Sequence, residues 1–365
     1  MLPPVMGAAA FLMAELLGAP YAEIVLVAIV PSLLYYFSVF IQADLEAARQ
    51  GIGAAEGTEI PPLRRVMKEG WYFPVPFVVL VVALFQFNLT AETAGLYAAG
   101  SIIFLGLILR YRGTRLGLSD IWESVKVTGQ SSVQIVVIGA AAGMIMGIVD
   151  VTGLGFGLTF VLVQFGESSL FMLLLLTALV CIILGMGMPT TAIYFLLATL
   201  AAPPMIQLGI NPMAAHMFVL YLGCMSMITP PVALAAFTAA NLAGADPMKT
   251  AMASVRLGWP GLVVPFLFVF SPSFLLQAPV LEIVRDVATA LIGIWLASAG
   301  ITGHLMSPLT PWVRIGLMVG GMALLIPSQT FPQAWTLEVF GLLLSLLLVG
   351  WEIKKGRQMS VRQAP

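Results

Sequence analysis

Long apolar runs constrain this chain more than any other feature. They fall at approximately residues 3–17, 20–42, 72–88, 92–109, 127–150, 168–186, 190–208, 213–228, 231–242, 248–270, 284–303, 314–327 and 335–352. A helix needs about 20 apolar residues to cross the hydrocarbon of a bilayer. Several runs meet that length and several are too short to cross alone. Charged residues make up 9% of the chain, whereas soluble domains carry roughly 25%. The expected fold class is therefore an all-α polytopic membrane protein. The net charge of −1 points to no partner. Nucleic acid is excluded as one, because there is no basic face and no zinc-ligand spacing. Membrane lipid is the surrounding partner. Cys181 and Cys224 each sit alone in an apolar run and read as small buried hydrophobes.

The charges that do occur are clustered. Arg49, Arg64, Arg65 and Lys68 lie in the polar stretch 43–71, and Arg110, Arg112, Arg115 and Lys126 in 110–126. The tail carries Lys354, Lys355, Arg357 and Arg362, while the connection "NLTAET" has no Lys or Arg. The excess of Lys and Arg on cytoplasmic loops places both basic stretches and the C-terminus in the cytoplasm.

One internal similarity crosses the chain. "PPVMGAAAF" at 3–11 resembles "PPVALAAF" at 230–237, and "LLGAP" at 16–20 answers "LAGADP" at 242–247. Each copy leads into an apolar span with internal proline: Pro31 in one, Pro260 and Pro265 in the other. Counted back from the basic loop, 20–42 runs from outside to inside. Counted back from the basic tail, 248–270 starts inside and runs outward. Inverted repeats with paired breaks in short apolar segments point to a secondary transporter with its site near the midplane.

Three places cannot continue as regular helix: "GMGMPTT" at 185–191, "SMITPP" at 226–231, and the proline pair Pro3 and Pro4. Proline lacks the N–H and clashes with the preceding turn, and glycine lets the backbone open. Irregular backbone at membrane depth is tolerated only inside protein or around a cavity. Carbonyls freed there are hard ligands for a small cation. Gly185, Gly187, Thr190, Thr191, Ser226 and Thr229 are the candidate cation-binding residues. The hydroxyls have an alternative use, because Ser and Thr in helices also bond the preceding turn. A restarted helix offers free N–H groups and the positive end of its dipole to an anion. Pro189, Pro230, Pro231, Pro3 and Pro4 are accordingly the substrate-binding candidates. Orientation requires a re-entrant hairpin at 168–208, tipped by "GMGMPTT", and one broken crossing at 213–242.

Other polar residues have structural readings. His216 reads as a backbone-bonded histidine near the start of the broken crossing, and Asp246 as an N-cap before Pro247. Asp150 and Glu167 flank an amphipathic stretch at the outer face, and Glu15 reaches toward water. Arg256 snorkels to the inner interface. Two His and two Cys scattered along the chain do not supply an enzyme's constellation, so no catalytic residue is expected. No resident metal or cofactor is expected beyond the coupling ion. A channel would instead call for rings of filter residues.

The stretch "GMGMPTTAIYFLLATLAAPPMIQLGINPMAAHMFVLYLGCMSMITPPVALAAFTAANLAGADPMKT" resembles the large membrane subunit of TRAP (tripartite ATP-independent periplasmic) transporters. It is most similar to the type in which small and large subunits are fused. The resemblance covers residues 1 to about 276 and is densest at 168–260. It implies an elevator-type symporter of a bacterial or archaeal inner membrane. Such a symporter takes an organic acid from a periplasmic binding protein, here of the TAXI type, and couples uptake to Na+, with H+ the alternative ion. Divalent anion sodium symporters share the hairpin tip followed by a "TPP" break, which the resemblance makes the two halves of one cation site. Within that pattern, 1–42 is the end of the first repeat, 43–71 a cytoplasmic loop, and 72–126 scaffold helices with a second loop. Residues 127–276 form the second inverted repeat, and 277–365 a C-terminal transmembrane extension with its basic tail. The family pattern has a first half-repeat ahead of "PPVMGAAAF". The expectation is a chain truncated in that half, with the small subunit and the first half supplied elsewhere. The rival expectation is a non-transporting fragment or scaffold subunit that needs a partner chain.

Overall fold

The computed structural model describes residues 9–53, 62–87, 89–111, 113–167, 169–327, 330 and 333–363. Among them the regular structure is helical, with two isolated bridges, Tyr111–Thr114 and His304–Pro308. In chain order the helices are α1 Ala9–Leu17, α2 Tyr21–Gln50, α3 Leu63–Gly70, α4 Val75–Phe85, α5 Ala91–Ile108 and α6 Leu118–Thr152. There follow α7 Leu154–Gly166, α8 Leu170–Gly185, α9 Thr190–Leu200, α10 Ala202–Gln207, α11 Pro212–Met225 and α12 Leu234–Ala243. The last are α13 Pro247–Leu257, α14 Pro260–Phe270, α15 Val280–Thr302, α16 Pro311–Leu325 and α17 Ala334–Gln363, with a 3₁₀ turn at Pro272–Leu275 before α15.

The chain is an all-α polytopic membrane protein. Among the described residues, three helical stretches are long and apolar enough to cross a membrane by themselves: Tyr21–Gln50, Pro247–Phe270 and Ala334–Glu352. Shorter apolar helices, α8, α9, α11 and α12 among them, fall below the length that crosses a bilayer alone. Two helices run further than their apolar runs. α2 continues to Gln50 through "ADLEAARQ", and α6 starts at Leu118 within the basic stretch. Both extensions lack Gly and Pro, so nothing in them stops a helix.

The described residues divide into two compact units, those within 9, 25–53 and 149–363 in one, and those within 10–24 and 62–148 in the other. In the first unit α11 is the central element and packs against α8, α9 and α14. Nearly all of α11 from Met213 to Gly223 is buried. Its start is fixed by Asn211, whose Oδ1 accepts from the N–H of Met213 at 2.8 Å and Ala214 at 3.4 Å, with Pro212 at the first helical position. α2 joins this core through polar pairs. Ser32 Oγ lies 3.0 Å from Tyr221 Oη, and Gln42 Nε2 donates to the Leu257 carbonyl at 2.7 Å.

The C-terminal helices α15, α16 and α17 pack in sequence. Glycine makes that packing close. A Cβ on Gly293 would lie 2.6 Å from the Gly321 carbonyl, and one on Gly341 would lie 2.7 Å from the Gly320 carbonyl. Small residues that let backbones touch drive helix association in lipid, where the hydrophobic effect between helices is absent. Asp286, 2% exposed, fastens α15 to the preceding turn. It accepts from the hydroxyls of Ser273 at 2.5 Å and Ser271 at 3.1 Å, and its neighbour Arg285 donates to its other oxygen at 2.9 Å.

In the second unit α4 and α5 pack together around Ala83, Leu84 and Ala94, with Tyr21, Leu80 and Leu89 against them. α3 precedes α4 at an angle of 62°.

Candidate functional site

The segment from Leu170 to Leu208 folds back on itself. α8 ends at Gly185 and α9 begins at Thr190, with four residues between them. Gly166 touches both ends of this segment: a Cβ there would meet Leu173 near the start of α8 and Leu208 just beyond α10. Gly223 on α11 likewise reaches both arms. Its backbone carbonyl lies beside Gly185, and its own missing Cβ would run into Ile193 and Leu197 of α9. A second turn of helix arises only after Ala201, where Pro203 and Pro204 restart the chain as α10. The tip is the sequence Met186-Gly187-Met188-Pro189. Gly187 has φ +80, a conformation that a β-branched residue adopts only under strain. Pro189 is the extended N-cap residue of α9 and gives it no side-chain cap. The first N–H groups of α9, at Thr190 and Thr191, therefore have no acceptor inside the helix. Both threonines are half-buried, and Gly187 and Pro189 are exposed.

The second interruption spans Ser226 to Ala233. Its backbone is held by short-range bonds, from Thr229 N–H to the Ser226 carbonyl at 3.3 Å and from Ala235 N–H to the Met227 carbonyl at 3.0 Å. The Pro230–Pro231 peptide is cis. Ala233 sits at φ +20, and positive φ in a residue other than glycine costs about 1–3 kcal/mol. It is packed with Ala236, Ala251 and Phe237, which hold it there.

The two interruptions meet. A Cβ on Gly185 would lie 2.6 Å from Ser226 Oγ and 3.2 Å from the Gly223 carbonyl, and one on Gly187 would lie 3.7 Å from Val232. Glycine at 185 is thus what allows the end of α8 to close on the end of α11. Ser226 is 1% exposed. Its hydroxyl donates to the Gly223 carbonyl at 2.6 Å, and the Thr229 hydroxyl donates to the Met225 carbonyl at 2.7 Å. Both therefore bond the preceding turn, and each oxygen keeps its lone pairs. Among the described residues, Thr190 and Thr191 hydroxyls make no hydrogen bond. Pro230 and Pro231 lie in the turn leading to α12. Pro3 and Pro4 lie outside the described residues.

Some neighbours of this site carry no signal that sequence reading used. Gly223 is one: it lets α9 approach α11, since a Cβ there would meet Ile193 at 2.4 Å. Tyr194 is another: its hydroxyl lies 2.7 Å from His216 Nδ1, joining α9 to α11 in a buried pair. His216 is thus bonded to a side chain and not to backbone. Arg256 is exposed and lies 3.4 Å from Glu46 of α2. Asp246 does cap α13, accepting from Lys249 N–H at 2.8 Å. Glu15 and Glu167 are exposed, and the Asp150 side chain lies outside the described residues.

Apolar helices interrupted at two places, with the interruptions packed face to face, define a multi-pass membrane protein of the transporter class. Residues 1–283 match the family described as "Tripartite ATP-independent periplasmic transporter, DctM component", and the chain belongs to that family. It is a permease component of a TRAP transporter, a system built with a periplasmic binding protein and a small membrane subunit. No curated protein and no solved structure matches the chain significantly.

Proposed function

We propose that this permease imports an organic acid by symport with Na+, and that the cation is held between the interruptions at 185–191 and 226–231. The contact of Gly185 with Ser226 carries this reading. That contact brings the two interruptions together, which supports a single region in which their loosened carbonyls and four hydroxyls serve one cation. Neither segment contains an acidic residue. A cation there rests on neutral oxygens, which suits a monovalent ion better than a divalent one, because nothing offsets a second charge. The anion is placed at the N-termini of α9 and α12, beside Pro189 and Pro230–Pro231, where first-turn N–H groups and dipoles favour negative charge. The hairpin of α8 and α9 enters the inner membrane from outside, the C-terminus is cytoplasmic, and the periplasmic binding protein is of the TAXI type.

Gly187→Val tests the cation site. With φ +80 unavailable to it without strain, the tip carbonyls should shift. In the assembled transporter, uptake should lose its dependence on the Na+ gradient while the protein stays in the membrane at its usual level. Na+ dependence equal to that of the unmodified protein would overturn the assignment. Replacing Na+ by a pH gradient in the same vesicles separates the two ions.

A further inference from the structure

A cleft of about 680 Å³ opens between α4 and α5 in the second unit, well away from the interrupted helices in sequence. Its body is apolar, lined by Phe77 and Leu80 from α4 and by Ile102 and Leu105 from α5. Its mouth is different. Tyr72, Tyr111, Thr114 and Arg115 gather there, at the end where α4 begins and α5 finishes. The mouth is built rather than incidental. Leu116 N–H donates to the Gly106 carbonyl at 3.0 Å, which folds the following loop back on α5. Phe73 and Tyr111 then meet edge to face with ring centroids 5.0 Å apart.

Two charges lie at this mouth, and they are not equivalent. Asp120 accepts from Gly117 N–H at 2.7 Å and belongs to the start of α6. Arg115 is exposed and, among the described residues, makes no ion pair. The neighbouring α3 adds more positive charge. Arg65 is paired with Glu69 at 2.9 Å, while Arg64 and Lys68 have no ion-pair partner among the described residues. The opposite side of α3 carries Leu63, Val66 and Met67 at helical spacing, all unburied, followed by Trp71 at 61% exposure. A short helix with an apolar stripe between cations, set 62° from an apolar helix, has the pattern of a helix that lies in the headgroup layer. Tyr and Trp belong at the same depth.

We infer that the α4–α5 cleft binds one anionic phospholipid, with an acyl chain along Phe77, Leu80, Ile102 and Leu105 and the phosphate at Arg115. A free phosphate would use the cation and leave the apolar body unfilled. A zwitterionic lipid would fill the body but gain less from the positive charges of Arg115, Arg64 and Lys68. The aromatic mouth sets the depth at which chain gives way to headgroup.

The test is native mass spectrometry of the full chain, delipidated in detergent and titrated with phosphatidylglycerol or phosphatidylcholine. The unmodified chain should retain one phosphatidylglycerol preferentially. Arg115→Gln, on an exposed loop, should weaken that lipid about fivefold, the effect of one cation near an anionic headgroup, and remove the preference over phosphatidylcholine. Ala98→Trp, which fills the cleft wall, should lose the bound lipid whatever its headgroup. Inorganic phosphate at millimolar concentration should not compete. Equal retention of both lipids by the unmodified chain, or no change in either variant, would overturn the proposal. Competition by inorganic phosphate would make this an anion site. Loss of the lipid on co-expression with the small membrane subunit would make the cleft that subunit's seat.

Discussion

A methyl group at position 185 has no room. It would sit 2.6 Å from the Ser226 hydroxyl, 3.0 Å from Ser226 Cβ and 3.2 Å from the Gly223 carbonyl. The hydroxyl is already committed to that carbonyl, so it cannot rotate away without abandoning a buried bond. Gly185→Ala should destabilise the protein by about 1–3 kcal/mol, the usual range for overpacking, seen as a lower melting temperature in detergent. Ser226→Gly in the same chain removes the two nearest atoms and should recover part of the loss. A double variant as unstable as the sum of its parts would show that the clash lies elsewhere. Position 187 differs in kind. Its Cβ would meet only Val232 at 3.7 Å, so there the demand for glycine comes from backbone conformation and not from space.

At the scale of elements, the interruptions were legible and their partners were not. "GMGMPTT" and "SMITPP" announce themselves because glycine and proline act locally on the backbone. The break between α9 and α10 falls where Pro203 and Pro204 enter the first turn of α10, although the run 190–208 reads as continuous by composition. What α11 touches depends on side chains far away in sequence, with no period to mark them. The Tyr194–His216 bond joins residues 22 apart, and nothing about "HMF" distinguishes a side-chain partner from a backbone one. That bond links the hairpin to the interrupted helix. Tyr194→Phe would leave His216 Nδ1 without its partner inside the core, and a buried unsatisfied group costs about 1–3 kcal/mol. Thermal unfolding of the purified variant should show that loss. His216→Phe in the Tyr194→Phe background should restore part of it, since an apolar pair removes both polar groups. The proposed lipid cleft was equally hidden, because its mouth is assembled from two loops and its body from two helices that each look merely apolar.

For the whole molecule, the sequence settled class and family, while the division into two units depends on which helices pack together. The proposed topology puts Asn211 outside and the C-terminus in the cytoplasm. Asn211 is exposed and lies 3.4 Å from Gln277, so both residues should share a side. A cysteine at Asn211 or at Gln277 should react with an impermeant thiol reagent from the periplasm, whereas one at Lys354 should react only after the membrane is opened. Labelling of Asn211 and Lys354 from the same side would rule out the arrangement. The bond between Gln42 and the Leu257 carbonyl, across 215 residues of chain, also has a consequence in time. At ribosomal speeds of about 5–20 residues per second, roughly 10–40 s separate the emergence of its two ends. Through that interval the Gln42 amide must sit in a nascent helix without its eventual acceptor. Ser38, one turn back and 2.9 Å from Gln42 Nε2, is already present. Its hydroxyl is thus the acceptor within reach of that amide before Leu257 has been made.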